Sequence, residues 1–474
     1  MRVNSLALAG FFYFSLSCFG QNGTQFRDWR PLSGEVAVRP KIACESLTAL
    51  TNYDFSVVSA RSIPATEKTP RHCQLRGLIA PQIAFEVDMP EAWNGRIYMF
   101  GNGGFAGESL DYPLHLEQTA TALQHGFAVT YTNTGHDETI EPLASFATNP
   151  QKLIDFAFRA VHLTVVTAKT VVGDYYGRRS SHAYFDGCST GGRQGLTEAQ
   201  RFPDDFDGIV VGAAMLDYVG TMISSVWIDR ALSTAPIPTK KLQVLSDHIY
   251  SRCDALDGLK DGLIDDPRRC DFKPSRDLPV CKGEGDSSDC FTPKQISALE
   301  TVYADVVSQG KRIFPGWPVG GEVDGPNWFS KTGHNPGWVP MLINDEGTSW
   351  ATNYTQAFFR TFALPDSSPK YELSQFDFDK DPARMASVRQ LMDATDPDLS
   401  RFKAHDGKLL MYWGWGDPAL NPKMGVNYYE QVSARMGSST TGLLPLVYGA
   451  GYVPLRRRHR SKRVRRRDHD DQVG

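Results

Sequence analysis

Only 22% of the 474 residues are charged, and 50 Lys and Arg nearly cancel 54 Asp and Glu. So little charge excludes a disordered, solvating chain or a salt-bridged coiled coil. The apolar run at the N-terminus falls short of the roughly twenty residues that a membrane-spanning helix needs, so a membrane anchor is not expected there. No internal repeat is visible, which excludes a solenoid or propeller. Histidine is sparse as well: of 11 in the chain, only His459 and His469 follow Asp417. What is abundant is glycine (42) and proline (29) on a 41% hydrophobic background, the composition of a loop-rich globular protein with a large core and a cleft.

The first twenty residues, MRVNSLALAGFFYFSLSCFG, carry one early Arg, a short apolar stretch and a small residue at Gly20. They read as an export signal rather than an anchor. A lipoprotein reading through Cys18 is weaker, because Ser15 stands where an apolar residue is wanted. Export makes disulfides expected. Beyond Cys18 seven cysteines remain, an odd number: Cys44, Cys73, Cys188, Cys253, Cys270, Cys281 and Cys290.

Short apolar runs over residues 75–135 alternate with Gly-rich turns and read as strands. NPQKLIDFAFRAVHLTVVTAKTVVGDYYG reads as a long helix with an Asn-Pro start, SHAYFDG as a strand entering a tight turn, and GRQGLTEAQRFP as a helix leaving it. This is α/β grammar. Between about residues 217 and 400 it gives way to four cysteines, Asp and Pro clusters, and the tryptophans Trp317, Trp328, Trp338 and Trp350, then returns at GKLLMYWGWGDPAL. The expected division is a signal at 1–20, a discontinuous α/β domain at 21–216 and 396–446, an inserted domain at 217–395 and a tail at 447–474.

Within YFDGCSTGGRQGL, Ser189 stands between Gly187 and Gly191 in a G-x-S-x-G pattern. Placed between a strand and a helix, such a serine sits on a strained turn, and the following helix N-terminus aims backbone N–H groups at a developing oxyanion. An ordinary Gly-rich turn reads the same way, and only the strand-turn-helix context favours a nucleophile. In α/β-hydrolase order an acid and then a histidine follow. Asp417, in WGWGDPALNP, stands after a strand at the head of a loop, where such an acid belongs, although an aspartate before proline is also a common turn residue. FGNGGFAGES offers a second oxyanion donor at Gly103 or Gly104.

GCSTGGRQGL…RFPDDFDGIVVGAA, the GNGGFAG loop and YWGWGDPALNP together resemble the tannase and feruloyl esterase family, over roughly residues 35–445. The resemblance implies an α/β-hydrolase fold carrying a large lid domain, with the ester site between the two. It implies Ser189 as nucleophile and Asp417 as the orienting acid; with these, the N–H groups of Thr190 and Gly104 are expected to hold the oxyanion. It also implies a disulfide between the cysteine before the nucleophile, here Cys188, and one just after the catalytic histidine. The family's lid binds calcium, and CDALDGLKDGLIDD matches that loop. Asp254, Asp257 and Asp261 are hard oxygen ligands in one glycine-punctuated loop, with carbonyls available from Leu259 and Leu263. The expected bridges are Cys253–Cys270, bracketing that loop, Cys281–Cys290 and Cys44–Cys73, which leaves Cys188 unpaired.

A V-P-G-M-x-H-C segment is expected some 30–40 residues after Asp417, but the chain there reads VYGAGYVPLRRRHRSKRVRRRDHDDQVG. Back-translating Gly449 to Arg460 and shifting the frame by one base yields codons that spell V-P-G-M-F-H-C-A-G-G with suitable free bases. The fixed bases demand much of this: one codon is restricted to Met or Thr, another is Cys if Leu455 is TTG, and three admit Gly or Ala. A slip of reading frame between Asp417 and Val447 is therefore expected, with the His and Cys codons overlapping Pro454 and Leu455. The rival reading takes the tail literally. Its eight Arg and one Lys against three Asp give residues 456–474 about +6, a polyanion-binding charge.

The function expected is hydrolysis of phenolic-acid esters, feruloyl or galloyl, by an exported Ser-His-Asp esterase with a structural calcium. Its partner is a small aromatic ester, with no nucleic acid or membrane, and the sequence does not fix the oligomeric state. The chain as it stands is expected to be nearly inactive for want of its histidine. A dead aromatic-ester binder and a polyanion binder are the alternatives.

Overall fold

The computed structural model describes residues 37–449, except 284, 324, 327–333, 336, 346–347, 365–367 and 441. The expected leader at 1–20, His459, His469 and the Arg run lie outside these residues. The main sheet is built from β1 (Ser56–Ile63), β2 (His72–Ile79), β3 (Ile83–Pro90), β4 (Arg96–Phe100), β5 (Ala128–Thr132), β6 (His182–Cys188), β7 (Gly208–Gly212) and two later strands. Between β7 and those strands lie the hairpins β8 (Val306–Ser308) with β9 (Lys311–Phe314) and β10 (Gly325–Pro326) with β11 (His334–Asn335). The sheet is completed by β12 (Lys408–Gly414) and β13 (Leu446–Gly449), in the order β1-β2-β3-β5-β4-β6-β7-β12-β13.

The first three strands are antiparallel, and β5-β4-β6-β7-β12-β13 are parallel. The parallel strands are nearly all apolar, as strands covered on both faces must be: all five residues of β5 are buried. Helices α1 (Pro113–Gln124), α2 (Pro150–Ile154), α3 (Ala160–Tyr176) and α4 (Thr190–Arg201) supply that cover. This is an α/β-hydrolase fold. The sheet runs on to Gly449, so Val447 to Gly449, assigned to the tail from sequence, belong to its last strand.

The expected long helix spans Pro150–Tyr176 and is apolar and long enough to cross a membrane. Here it is a core helix, with Val161, Val165, Ala168, Val171 and Val172 all buried. Asn149 caps its start by accepting from the N–H groups of Gln151 and Lys152, and Gly177 ends it at φ +61°. One turn, Asp155–Arg159, is a π-helix. It opens the helical ladder, and the carbonyls of Phe156 and Ala157 accept from the buried Arg193 guanidinium of α4 at 3.1 and 2.7 Å. The guanidinium also lies over the Phe156 and Tyr218 rings, so a charge with no carboxylate hydrogen-bond partner among the described residues is balanced by carbonyl dipoles and ring faces.

From α5 (Tyr218–Thr234) onward the insertion begins. A second hydrophobic core gathers residues from Ile228 to Ile343, including Trp317 and Trp338. The main core takes in Val219 and Met222 at one end of the insertion and Tyr354, Phe358 and Met392 at the other. The separately packed part of the insertion is therefore narrower than 217–395. Trp328 lies outside the described residues. Disulfides join Cys44–Cys73, Cys253–Cys270 and Cys281–Cys290, with Cα separations of 5.5, 5.4 and 5.0 Å. Such bonds belong to an oxidising compartment.

Candidate active site

Ser189 sits between β6 and α4 at φ 58°, ψ −119°, a left-handed conformation that a serine adopts only when its surroundings impose it. Those surroundings are visible. Ser189 N–H donates to Gly212 O at 3.0 Å, and its carbonyl accepts from Met215 N–H at 3.0 Å and Arg193 N–H at 3.1 Å. The two flanking glycines are packing requirements. A Cβ on Gly187 would fall 2.5 Å from the Gly191 carbonyl carbon and oxygen, and one on Gly191 would fall 3.0 Å from Asn102 O. The Ser189 side chain is buried, and Oγ makes no hydrogen bond among the described residues.

Gly187→Ala is accordingly expected to cost about 1–3 kcal/mol in urea unfolding, since backbone must move to admit the methyl group. Gly173→Ala is the control. Nothing lies within 4 Å of its added Cβ on α3, and the change should stabilise by up to about 1 kcal/mol through helix propensity.

The loop after β4 lies against α4. Thr190 Oγ1 donates to Gly104 O, and Asn102 N–H donates to Gln194 Oε1 at 2.9 Å. The buried Glu108 carboxylate is the hub of this loop, accepting from Gly103 N–H at 2.9 Å and from Asn102 Nδ2 at 2.7 Å, with His115 Nε2 at 3.1 Å. The Gly103 N–H is committed to Glu108, whereas the N–H groups of Gly104 and Thr190 have no acceptor among the described residues. Glu108 was missed from sequence; the only signal was one acid in a glycine-rich loop with a histidine seven residues on.

Asp417 follows β12 and is buried. Its Oδ1 accepts from Ala419 N–H at 2.9 Å and Leu420 N–H at 3.0 Å, an Asx turn. Burial pushes its carboxyl up to about 7, against the pull of those two N–H groups. Since β6 and β12 flank β7, Ser189 and Asp417 leave the same edge of the sheet two strand spacings, or roughly 10 Å, apart. Of the described histidines, His136 stands near the glycine loop, its Nε2 2.6 Å from where a Cβ on Gly107 would be. It stacks on Phe146 at 3.9 Å, and burial drives it down to about 4, which suits a neutral core side chain.

Beside the glycine loop is a cleft lined by Gly104, Phe105, Tyr112, Glu138, Trp350 and Tyr354, among others. Tyr354 stacks on Phe105 at 3.8 Å and on Trp350 at 5.1 Å. Its hydroxyl lies 3.8 Å from where a Cβ on Gly104 would stand.

These features coincide with sequence similarity along most of the chain. Residues 68–450 match the family described as tannase and feruloyl esterase. The chain belongs to this family. It is 32% identical to an uncharacterized esterase of Xanthomonas campestris over 83% of this chain and 70% of that one. It is 30% identical to the mono(2-hydroxyethyl) terephthalate hydrolase of Piscinibacter sakaiensis, over 82% and 74%. The crystal structure of feruloyl esterase B from Aspergillus oryzae superposes with a TM-score of 0.73 at 25% identity, covering 86% of this chain and 82% of that one.

Two further expectations for this tannase and feruloyl esterase relative concern the lid and the cysteines. In the loop closed by Cys253–Cys270, Asp254 Oδ1 accepts from Gly262 N–H at 3.0 Å, Asp257 Oδ1 from Leu259 N–H at 2.8 Å, and Asp261 Oδ1 from Leu263 N–H at 3.3 Å. Each carboxylate thus spends one oxygen on the loop, and among the described residues the other has no hydrogen bond. Gly258 and Gly262 turn the chain at φ +96° and +78°, and the Leu259 and Leu263 side chains point to solvent. This donor set fits a hard oxygen-seeking cation. The expectation that Cys188 is unpaired does not hold: Cys188 is disulfide-bonded, to a partner outside the described residues.

Proposed function

We propose that this fold is a carboxylic ester hydrolase for phenolic-acid esters of the feruloyl or galloyl type, with Ser189 as nucleophile and Asp417 as the acid that orients its histidine. The strained Ser189 turn carries the reading: it holds a buried hydroxyl beside two uncommitted N–H groups, those of Thr190 and Gly104. Attack by Oγ on the ester carbonyl would place the oxyanion between those donors, where low dielectric makes each worth several kcal/mol in the transition state. The stacked rings of Phe105, Tyr354 and Trp350 line the cleft beside the glycine loop and would give an aromatic acid an apolar wall. The similarity to a mono(2-hydroxyethyl) terephthalate hydrolase and to feruloyl esterase B supports an aromatic acyl group.

The base is the missing part. In this fold a histidine follows the last strand, and after β13 the sequence reads AGYVPL and then an Arg-rich run, whose His459 lies in no V-P-G-M-x-H-C context. We attribute this to the frame slip between Asp417 and Val447, supported by the V-P-G-M-F-H-C codons hidden under Gly449 to Leu455. The paired state of Cys188 removes the odd-cysteine argument for the slip and leaves the codon argument intact. Without the histidine the chain is an ester-binding scaffold with little turnover. The test is hydrolysis of methyl ferulate by a frame-restored chain and its Ser189→Ala variant; equal activity in the two would rule out Ser189.

Asp254, Asp257 and Asp261, with the carbonyls of Leu259 and Leu263, would hold calcium, which ties the lid loop rather than touching substrate. A calcium chelator should lower the Tm of the parent chain and leave that of Asp257→Asn/Asp261→Asn unchanged. Identical chelator sensitivity in the two would exclude this loop.

A further inference from the structure

Away from the ester site, His162 of α3, Glu198 of α4 and Asp205, in the turn before β7, bring three ligand atoms within 4.8 Å of one another. His162 Nδ1 stands 2.6 Å from Asp205 Oδ2, and its ring is stacked on Phe202 at 4.0 Å. Glu198 is 1% exposed, and neither of its carboxylate oxygens accepts a hydrogen bond among the described residues. Asp205 is buried as well. The cation of nearby Lys169 is turned to the Asp204 carbonyl at 3.2 Å. Two carboxylates buried side by side repel unless a proton or a metal ion joins them.

We propose that His162, Glu198 and Asp205 form a binding site for a divalent cation of the Zn²⁺ or Mn²⁺ type. One imidazole nitrogen with two carboxylates is a borderline N/O donor set, unlike the all-oxygen loop of the lid, so the two sites select different metals. His162 remains 29% exposed at its side chain, which leaves an entry path and a position for water as a fourth ligand. Glu198 lies nine residues beyond Ser189, about 13 Å along the helix axis, so the ion would touch no substrate. Its effect would be to fasten the far end of the nucleophile helix to α3.

The full chain, stripped with chelator and kept in excess Ca²⁺ to fill the lid loop, is titrated with Zn²⁺ by calorimetry alongside His162→Asn and Glu198→Gln. Other histidines, including His459 and His469, bind equally in all three, so the difference in stoichiometry is the readout. The parent should take up one equivalent more than either variant and gain Tm on Zn²⁺ addition. Equal stoichiometry would overturn the site and leave a shared proton between the carboxylates. Should a variant fail to fold, histidine-selective acylation of the parent, mapped by mass spectrometry, gives the answer alone. Zn²⁺ should protect His162, and unchanged labelling would overturn the proposal.

Discussion

Restoring the frame so that V-P-G-M-F-H-C follows the last strand is expected to raise kcat/KM on methyl ferulate by about 10³- to 10⁴-fold over the chain as it stands, because one member of a cooperative triad is regained. Ser189→Ala in the restored chain should return activity to the starting level, and the same substitution in the present chain should change little. The logic is non-additive: a nucleophile without its base performs about as poorly as no nucleophile. Steady-state kinetics on the four proteins checks it, and a present chain that loses turnover with Ser189→Ala would show that another group serves as base.

The second large effect concerns Asp417 and pH. Its folded pKa, about 7, lies above the roughly 3.9 of an unfolded aspartate, so the unfolded chain ionises first as pH rises. Stability present below about pH 4 is therefore lost progressively up to about pH 7, by as much as about 4 kcal/mol if the whole difference is realised. Asp417→Asn keeps an oxygen to accept from the Ala419 and Leu420 N–H groups and has no charge to bury. It should stabilise the present chain by a few kcal/mol at pH 8 and leave it nearly unchanged at pH 4. Urea unfolding at both values measures this; equal effects at both would mean that Asp417 is not buried as a carboxylate. In the restored chain the gain should shrink, because an imidazole beside Asp417 would favour the ionised form.

Ser189 and Asp417 could be proposed from sequence because each is announced by residues within a few positions of it: two glycines and a strand-helix switch for one, a strand and a Pro-punctuated loop for the other. The proposed calcium loop is equally local. What escaped depends on contacts between distant segments. Glu108 acquires its role only when β4, α1 and α4 meet around it, and the π-turn at Asp155–Arg159 makes sense only beside the Arg193 guanidinium. The cluster of His162, Glu198 and Asp205 joins residues up to 43 positions apart. The paired state of Cys188 could not be read from a count of cysteines.

Sequencing the gene from source DNA across codons 410–474 and beyond decides the central question. A missing or extra base before codon 447, with V-P-G-M-F-H-C read through in the restored frame, is the predicted result and returns the histidine to Ser189 and Asp417. An intact frame ending in the Arg-rich tail would contradict it, and would turn the proposal for this α/β-hydrolase fold from turnover to binding.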